Sequence, residues 1–169
     1  MKSTEILADG FARVRENVHA VLDDIEEQRL TYRPADGANT IAWLIWHLAR
    51  VQDAQIADVA GTDEVWTSDG WFDRFALPFE PSASGYGQSA ADVIRVVGPA
   101  ELLLGYYDAT HQVTVDYLAG LDDDDLDRVI DTRWDPPVTL GVRLVSILDD
   151  DAQHVGQAAY LRGLDVDFD

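Results

Sequence analysis

Thr139-Leu140-Gly141-Val142-Arg143-Leu144-Val145-Ser146-Ile147-Leu148-Asp149-Asp150-Asp151-Ala152-Gln153-His154-Val155-Gly156-Gln157-Ala158-Ala159-Tyr160-Leu161-Arg162-Gly163 reads as one long helix. Leu140, Leu144, Ile147, Ala158 and Leu161 recur at three- and four-residue steps and form an apolar stripe that must face a core. Thr139 is placed to cap its start; Arg162 puts a cation in the last turn, and Gly163 follows as a stop. The middle of the helix breaks the pattern. On a helical wheel His154 falls about 40° from the axis of the stripe and Asp150 about 80°, on the same side. One turn apart, their side chains can reach a common point beside the core. A carboxylate and an imidazole converging at the wall of a bundle supply half of a metal site. Asp151 lies nearer the stripe than Asp150 and is also well spaced from His154, so periodicity leaves both aspartates open as ligands.

The remaining chain supplies three more long helices. Residues 3–28 carry Leu7, Phe11, Val14, Val18, Val21 and Ile25 at helical spacing, followed by a turn-rich connection with Pro34 and Asp36-Gly37. Asn39 or Thr40 caps a second helix that runs to about Ala60 and closes at Gly61. Its stripe is Ile41, Leu44, Ile45, Leu48, Val51 and Val59, with His47 at one edge. Trp43 and Trp46 sit on other faces, so this helix is either central or engaged at a subunit contact.

Between Gly61 and Gln88 periodicity fails amid Trp66, Trp71, Phe72, Phe75 and Phe79, with a turn of helix expected around Gly70–Phe75. A connection this long suggests a lid or pocket wall, or simply an aromatic cover on the bundle. Ser89 and Asp92 mark a helix start. Pro99 opens a segment running to Ala119, with Leu102, Tyr106, Ala109, Val113 and Tyr117 expected inward. An acidic turn follows at 121–126, and 128–134 carries too few apolar residues to assign as a strand. The expectation is an all-α four-helix bundle with long connections, forming a single domain over 1–169.

At 169 residues such a chain buries roughly 70% of its unfolded surface. The 32 acidic against 12 basic residues, a net charge of −20, repel phosphate backbones and anionic membranes, so neither nucleic acid nor membrane is expected as a partner. No apolar run is long enough to span a bilayer and no signal segment is evident, so a cytoplasmic location is the expectation. With no cysteine, disulfides, thiolate ligands and a cysteine nucleophile are excluded, and any thiol chemistry requires a thiol from outside.

The four histidines divide into two pairs. His19 and His111 point away from their apolar faces toward solvent, whereas His47 and His154 lie on or beside theirs. Two imidazoles on separate helices with one carboxylate leave coordination positions open, as catalytic sites do. Nitrogen and oxygen donors suit Zn²⁺, and also Ni²⁺, Mn²⁺ or Fe²⁺. There is no Glu-x-x-His pair for a di-iron bundle, no G-x-S-x-G elbow and no phosphate-binding glycine loop.

Trp46-His47-Leu48-Ala49 and Asp150-Asp151-Ala152-Gln153-His154-Val155-Gly156-Gln157 carry a resemblance to the DinB-like superfamily. These four-helix metalloproteins include the N-terminal domain of mycothiol-dependent maleylpyruvate isomerase. The resemblance spans nearly the whole chain and implies His47, Asp150 and His154 as metal ligands. Aspartate stands here where the family has His or Glu; one methylene shorter than glutamate, it would draw the ion closer to the helix. The resemblance further implies a metal-dependent S-transferase or isomerase acting on a small-molecule substrate with a low-molecular-weight thiol such as mycothiol. Gln157 is the candidate for lining the site or orienting a ligand, and Asp151 the candidate general base if the reaction is instead metal-assisted hydrolysis. Metal-assisted hydrolysis, or a bundle that binds or assembles without chemistry, are the alternatives; a homodimer is compatible with each.

Overall fold

The computed structural model describes residues 1–166 and 168. In chain order its elements are helices α1 (Ser3–Leu22), α2 (Glu27–Thr31), α3 (Ile41–Ala60), α4 (Val65–Ser68), α5 (Trp71–Phe75), α6 (Ala90–Val93) and α7 (Ala100–Ala119). A 3₁₀ turn (Asp124–Asp127), strands β1 (Val129–Asp131) and β2 (Val138–Thr139), and helix α8 (Leu140–Arg162) complete it. The all-α expectation holds, with α1, α3, α7 and α8 as the four long helices of the bundle. No helix among the described residues is long and apolar enough to cross a membrane.

Helix α8 has the bounds its spacing requires: the Thr139 hydroxyl accepts from Val142 N, and Leu140, Leu144, Ile147, Ala158 and Leu161 are buried. Helix α3 starts where Thr40 Oγ1 accepts from Trp43 N at 3.0 Å and ends at Gly61, whose φ of +69° suits a residue without Cβ. Fourteen of its twenty residues are buried, so α3 is the central helix. Trp43 and Trp46 are enclosed by the chain itself, which removes them as a subunit contact.

Two expectations need correction. The first helix stops at Leu22, not at 28, because Asp24 adopts a left-handed φ of +47° and the chain turns into the separate α2. Paired Asp23 and Asp24 at the negative end of the helix dipole favour that stop, and the Arg162 guanidinium takes the carbonyls of Val21 and Asp23. On α7 the buried face is Leu103, Tyr106, Tyr107, Thr110, Thr114 and Leu118, rotated from the expected stripe. Thr114 can face inward because its hydroxyl accepts from Gln52 Nε2 at 2.6 Å and donates to the Thr110 carbonyl. The unassigned segment 128–134 contains β1, paired antiparallel with β2.

Each of α1 and α3 packs against both α7 and α8. Gly10 meets Leu148 and Val21 meets Arg162, so α1 and α8 run parallel. Gln52 meets Thr114 and Val59 meets Tyr117, so α3 and α7 also run parallel. Two adjacent parallel helices cannot be joined by a tight turn. The 61–99 connection must return along the length of the bundle: α4 packs on α3 and α7, α5 on α7, and residues 81–85 then lie against Arg50 and His47 of α3.

Candidate metal centre

Helix α3 carries His47 at its buried edge, and antiparallel α8 carries Asp150 and His154 one turn apart. One ligand atom from each of the three lies within 4.8 Å of the others, and no other group of three such donors is gathered this way among the described residues. The rings of His47 and His154 meet edge to face with centroids 4.7 Å apart. His47 is 6% exposed, whereas the His154 and Asp150 side chains are 17% and 33% exposed, so the cluster is reached from the α8 side.

Hydrogen bonds to main-chain carbonyls settle both tautomers. His47 Nδ1 lies 2.5 Å from Ser84 O, and His154 Nδ1 lies 2.7 Å from Asp150 O. A carbonyl can only accept, so each Nδ1 carries a proton, and in the neutral ring each Nε2 keeps a free lone pair. Asp150 Oδ2 lies 3.4 Å from His154 Nδ1 yet is buried without a hydrogen-bond partner. Two free imidazole nitrogens and an orphaned carboxylate oxygen form a donor set that fits a divalent cation of the Zn²⁺ type.

The electrostatics of the cluster agree with that use. Burial holds His47 below the ordinary histidine value, with repulsion from His154 adding to it against the Ser84 carbonyl. Burial also lowers His154, but the Asp150 carboxylate and carbonyl outweigh it and raise the imidazole's pKa. Burial pushes Asp150 up, and the two imidazoles outweigh that and hold it below the usual carboxylate range.

Asp151 takes a different place. It is fully buried, neither of its carboxylate oxygens has a hydrogen-bond partner among the described residues, and it lies outside the cluster. Burial raises its pKa well above the usual range, and the Asp150 charge adds to the shift. A group so enclosed cannot serve as a general base toward a substrate reached from solvent. Gln157 is exposed and lines a groove beside the cluster. His19 and His111 stand apart on α1 and α7. His19 Nε2 lies 2.9 Å from Asp108 Oδ1, and His111 is half-buried against Tyr107 rather than fully solvated.

The long connection forms one wall of the site. Trp43 stacks on His47 at 4.5 Å and donates through Nε1 to Gln88 Oε1 at 2.8 Å. Gly85 has φ +94°, and a Cβ there would lie 2.6 Å from His47 Nδ1, so the wall comes this close only because the residue is glycine. Arg50, one turn beyond His47, pins the strand of chain before Ser84. Its Nε donates to Ala83 O at 3.1 Å and its Nη2 to Pro81 O at 3.3 Å. Nη2 also pairs with Glu64 at 2.7 Å, and Nη1 donates to Tyr106 OH at 3.2 Å. Asp53 caps α4 by accepting from Val65 N and Trp66 N at 2.9 and 2.8 Å. Sequence reasoning passed over Ser84, Gly85, Arg50 and Asp53. The available signal was two charged residues on a helix apolar on nearly every side, where each must be paired if buried.

A family model described as the DinB superfamily matches residues 11–158. The fold also matches the crystal structure of a conserved protein from Enterococcus faecalis, 34% identical, over 96% of each chain with a TM-score of 0.89. No curated protein matches the chain.

Proposed function

The chain belongs to the DinB superfamily, and on that premise we propose that it is a divalent-metal-dependent enzyme using a low-molecular-weight thiol of the mycothiol type for S-transfer or isomerisation. In this reading His47, Asp150 and His154 hold the ion, with Zn²⁺ the first choice and Ni²⁺, Mn²⁺ or Fe²⁺ the others. When bound, the ion supplies Lewis acidity that favours the thiolate form of a thiol, which this cysteine-free chain cannot provide itself. The residues do the rest. Ser84 O and Asp150 O hold the two imidazoles in the tautomer that presents Nε2, Trp43 braces the His47 ring, and the 81–88 strap shields one side from water.

The observation that supports this most is an Asp150 oxygen without a hydrogen-bond partner among the described residues, in a cluster where one donor atom each of His47, Asp150 and His154 lies within 4.8 Å of the others. Hydrolysis with Asp151 as base is disfavoured by the complete burial of that carboxylate. Elemental analysis of untagged protein tests the proposal. His47→Ala, His154→Ala and Asp150→Ala should each abolish metal uptake, whereas His19→Ala, His111→Ala and Asp151→Asn should retain it. Uptake should weaken as pH falls through the raised pKa of His154, because protonation removes a ligand. Conjugation of chlorodinitrobenzene should then require both the metal and an added thiol. Activity without a thiol would exclude the S-transfer reading, and equal effects of all four histidine variants would exclude the ligand assignment.

A further inference from the structure

A groove of about 670 Å³ runs between the start of α3 and the second half of α8, lined by Asn39, Leu44, Gln153, Gly156, Gln157 and Tyr160 among others. It lies next to the donor cluster: Leu44 precedes His47 by one turn, and Gln153 and Gln157 flank His154. Its size falls in the range of small-molecule sites. Although the chain carries 32 acidic and 12 basic residues, no ionised side chain among the described residues lines the groove. The wall instead offers three carboxamides, one phenol and apolar patches.

Gly156 supplies an independent observation. It sits inside α8, where glycine is less stable than alanine, and a Cβ built there meets nothing within 4 Å. Packing does not require glycine at this position. The open space that the missing methyl would enter is the groove itself.

We propose that this groove receives the non-reacting part of the substrate or co-substrate, that this part is an uncharged chain bearing amides or hydroxyls, and that Gly156 sets the width available to it. A charged group entering this lining would lose hydration without gaining a counter-charge, and an anion would also be repelled by the net charge of −20. Carboxamides satisfy amide and hydroxyl groups in both donor and acceptor senses. The inference deepens the proposed metal-dependent thiol chemistry and rests on it for the direction in which the ligand's reactive end points.

Pantetheine, an uncharged amide-bearing thiol, and its 4′-phosphate test this. Calorimetric titrations would use wild type, Gly156→Ala and Gly156→Leu, each with and without Co²⁺, with Co²⁺ stoichiometry followed by its visible absorption. Pantetheine should bind the Co²⁺-loaded wild type at least tenfold more tightly than its phosphate ester does. Gly156→Leu should lose at least tenfold in pantetheine affinity at unchanged Co²⁺ stoichiometry. Gly156→Ala should raise Tm by about 2–4 °C, which shows that the glycine is not kept for folding. Absence of pantetheine binding, equal affinity in Gly156→Leu, or a phosphate ester that binds as tightly would each overturn the inference. A change of oligomeric state in Gly156→Leu by sedimentation would overturn it too, by assigning this face to a second copy of the chain. Failure to take up Co²⁺ refutes the metal reading separately, and the Gly156 dependence of pantetheine binding to metal-free protein then decides the groove.

Discussion

Gly85 is where single-residue geometry matters most. Its φ of +94° is disfavoured for any L side chain, and an added methyl would press on His47 Nδ1 at 2.6 Å and on Trp43 at 3.1 Å. Gly85→Ala should therefore cost about 1–3 kcal/mol of stability through backbone strain. It should also displace the Ser84 carbonyl from His47 and weaken metal binding by about 10–100-fold, the usual effect of losing a partner that orients a ligand. Urea unfolding and zinc competition titration would measure the two effects. A variant with wild-type zinc affinity would show that the His47–Ser84 bond does not orient the ring. At the same scale, the choice between Asp150 and Asp151 turns on a single step of 100° around α8. That step separates a carboxylate facing two imidazoles from one sealed in the core.

Among the elements, α3 and the 61–88 connection act as one unit through Arg50. Its guanidinium is fully buried, pairs with Glu64, lies 3.6 Å from Asp53, stacks over Trp66 at 5.0 Å and holds the carbonyls of Pro81 and Ala83. Arg50→Met would leave Asp53 buried without its counter-charge, at a cost of about 3–5 kcal/mol. The strap ahead of Ser84 would also lose its anchor. The expected outcome is a lower urea midpoint together with reduced zinc affinity, while an affinity unchanged at full folding would uncouple the strap from the site. The helices themselves were legible in the sequence: Thr40, Gly61 and Thr139 mark ends that the structure reproduces. The stop of α1 and the rotation of α7 were not. The first depends on Arg162 reaching the end of α1 from α8, and the second on Gln52 satisfying Thr114 from α3.

For the whole molecule the dominant quantity is charge. A net −20 on 169 residues strains the folded state by self-repulsion, and α8 alone places Asp149, Asp150 and Asp151 in succession. Salt shortens the reach of that repulsion from roughly 30 Å at 0.01 M to about 8 Å at 0.15 M. Tm should therefore rise by a few degrees over this range in calorimetry at pH 7. A flat or falling Tm would mean that the paired charges, among them Arg15–Asp108 and Arg50–Glu64, outweigh the repulsion.

Periodicity and capping were enough to establish four long helices, an all-α bundle and two histidines set on core-facing edges, because these follow from local spacing along one chain segment at a time. The packing of α3 against α8 had to bring those edges together, since nothing local relates residue 47 to residues 150 and 154. The wall that orients His47 depended likewise on the course of the 61–99 connection. Its path is set by the parallel placement of α3 and α7, a relation between distant elements that spacing within either one does not encode.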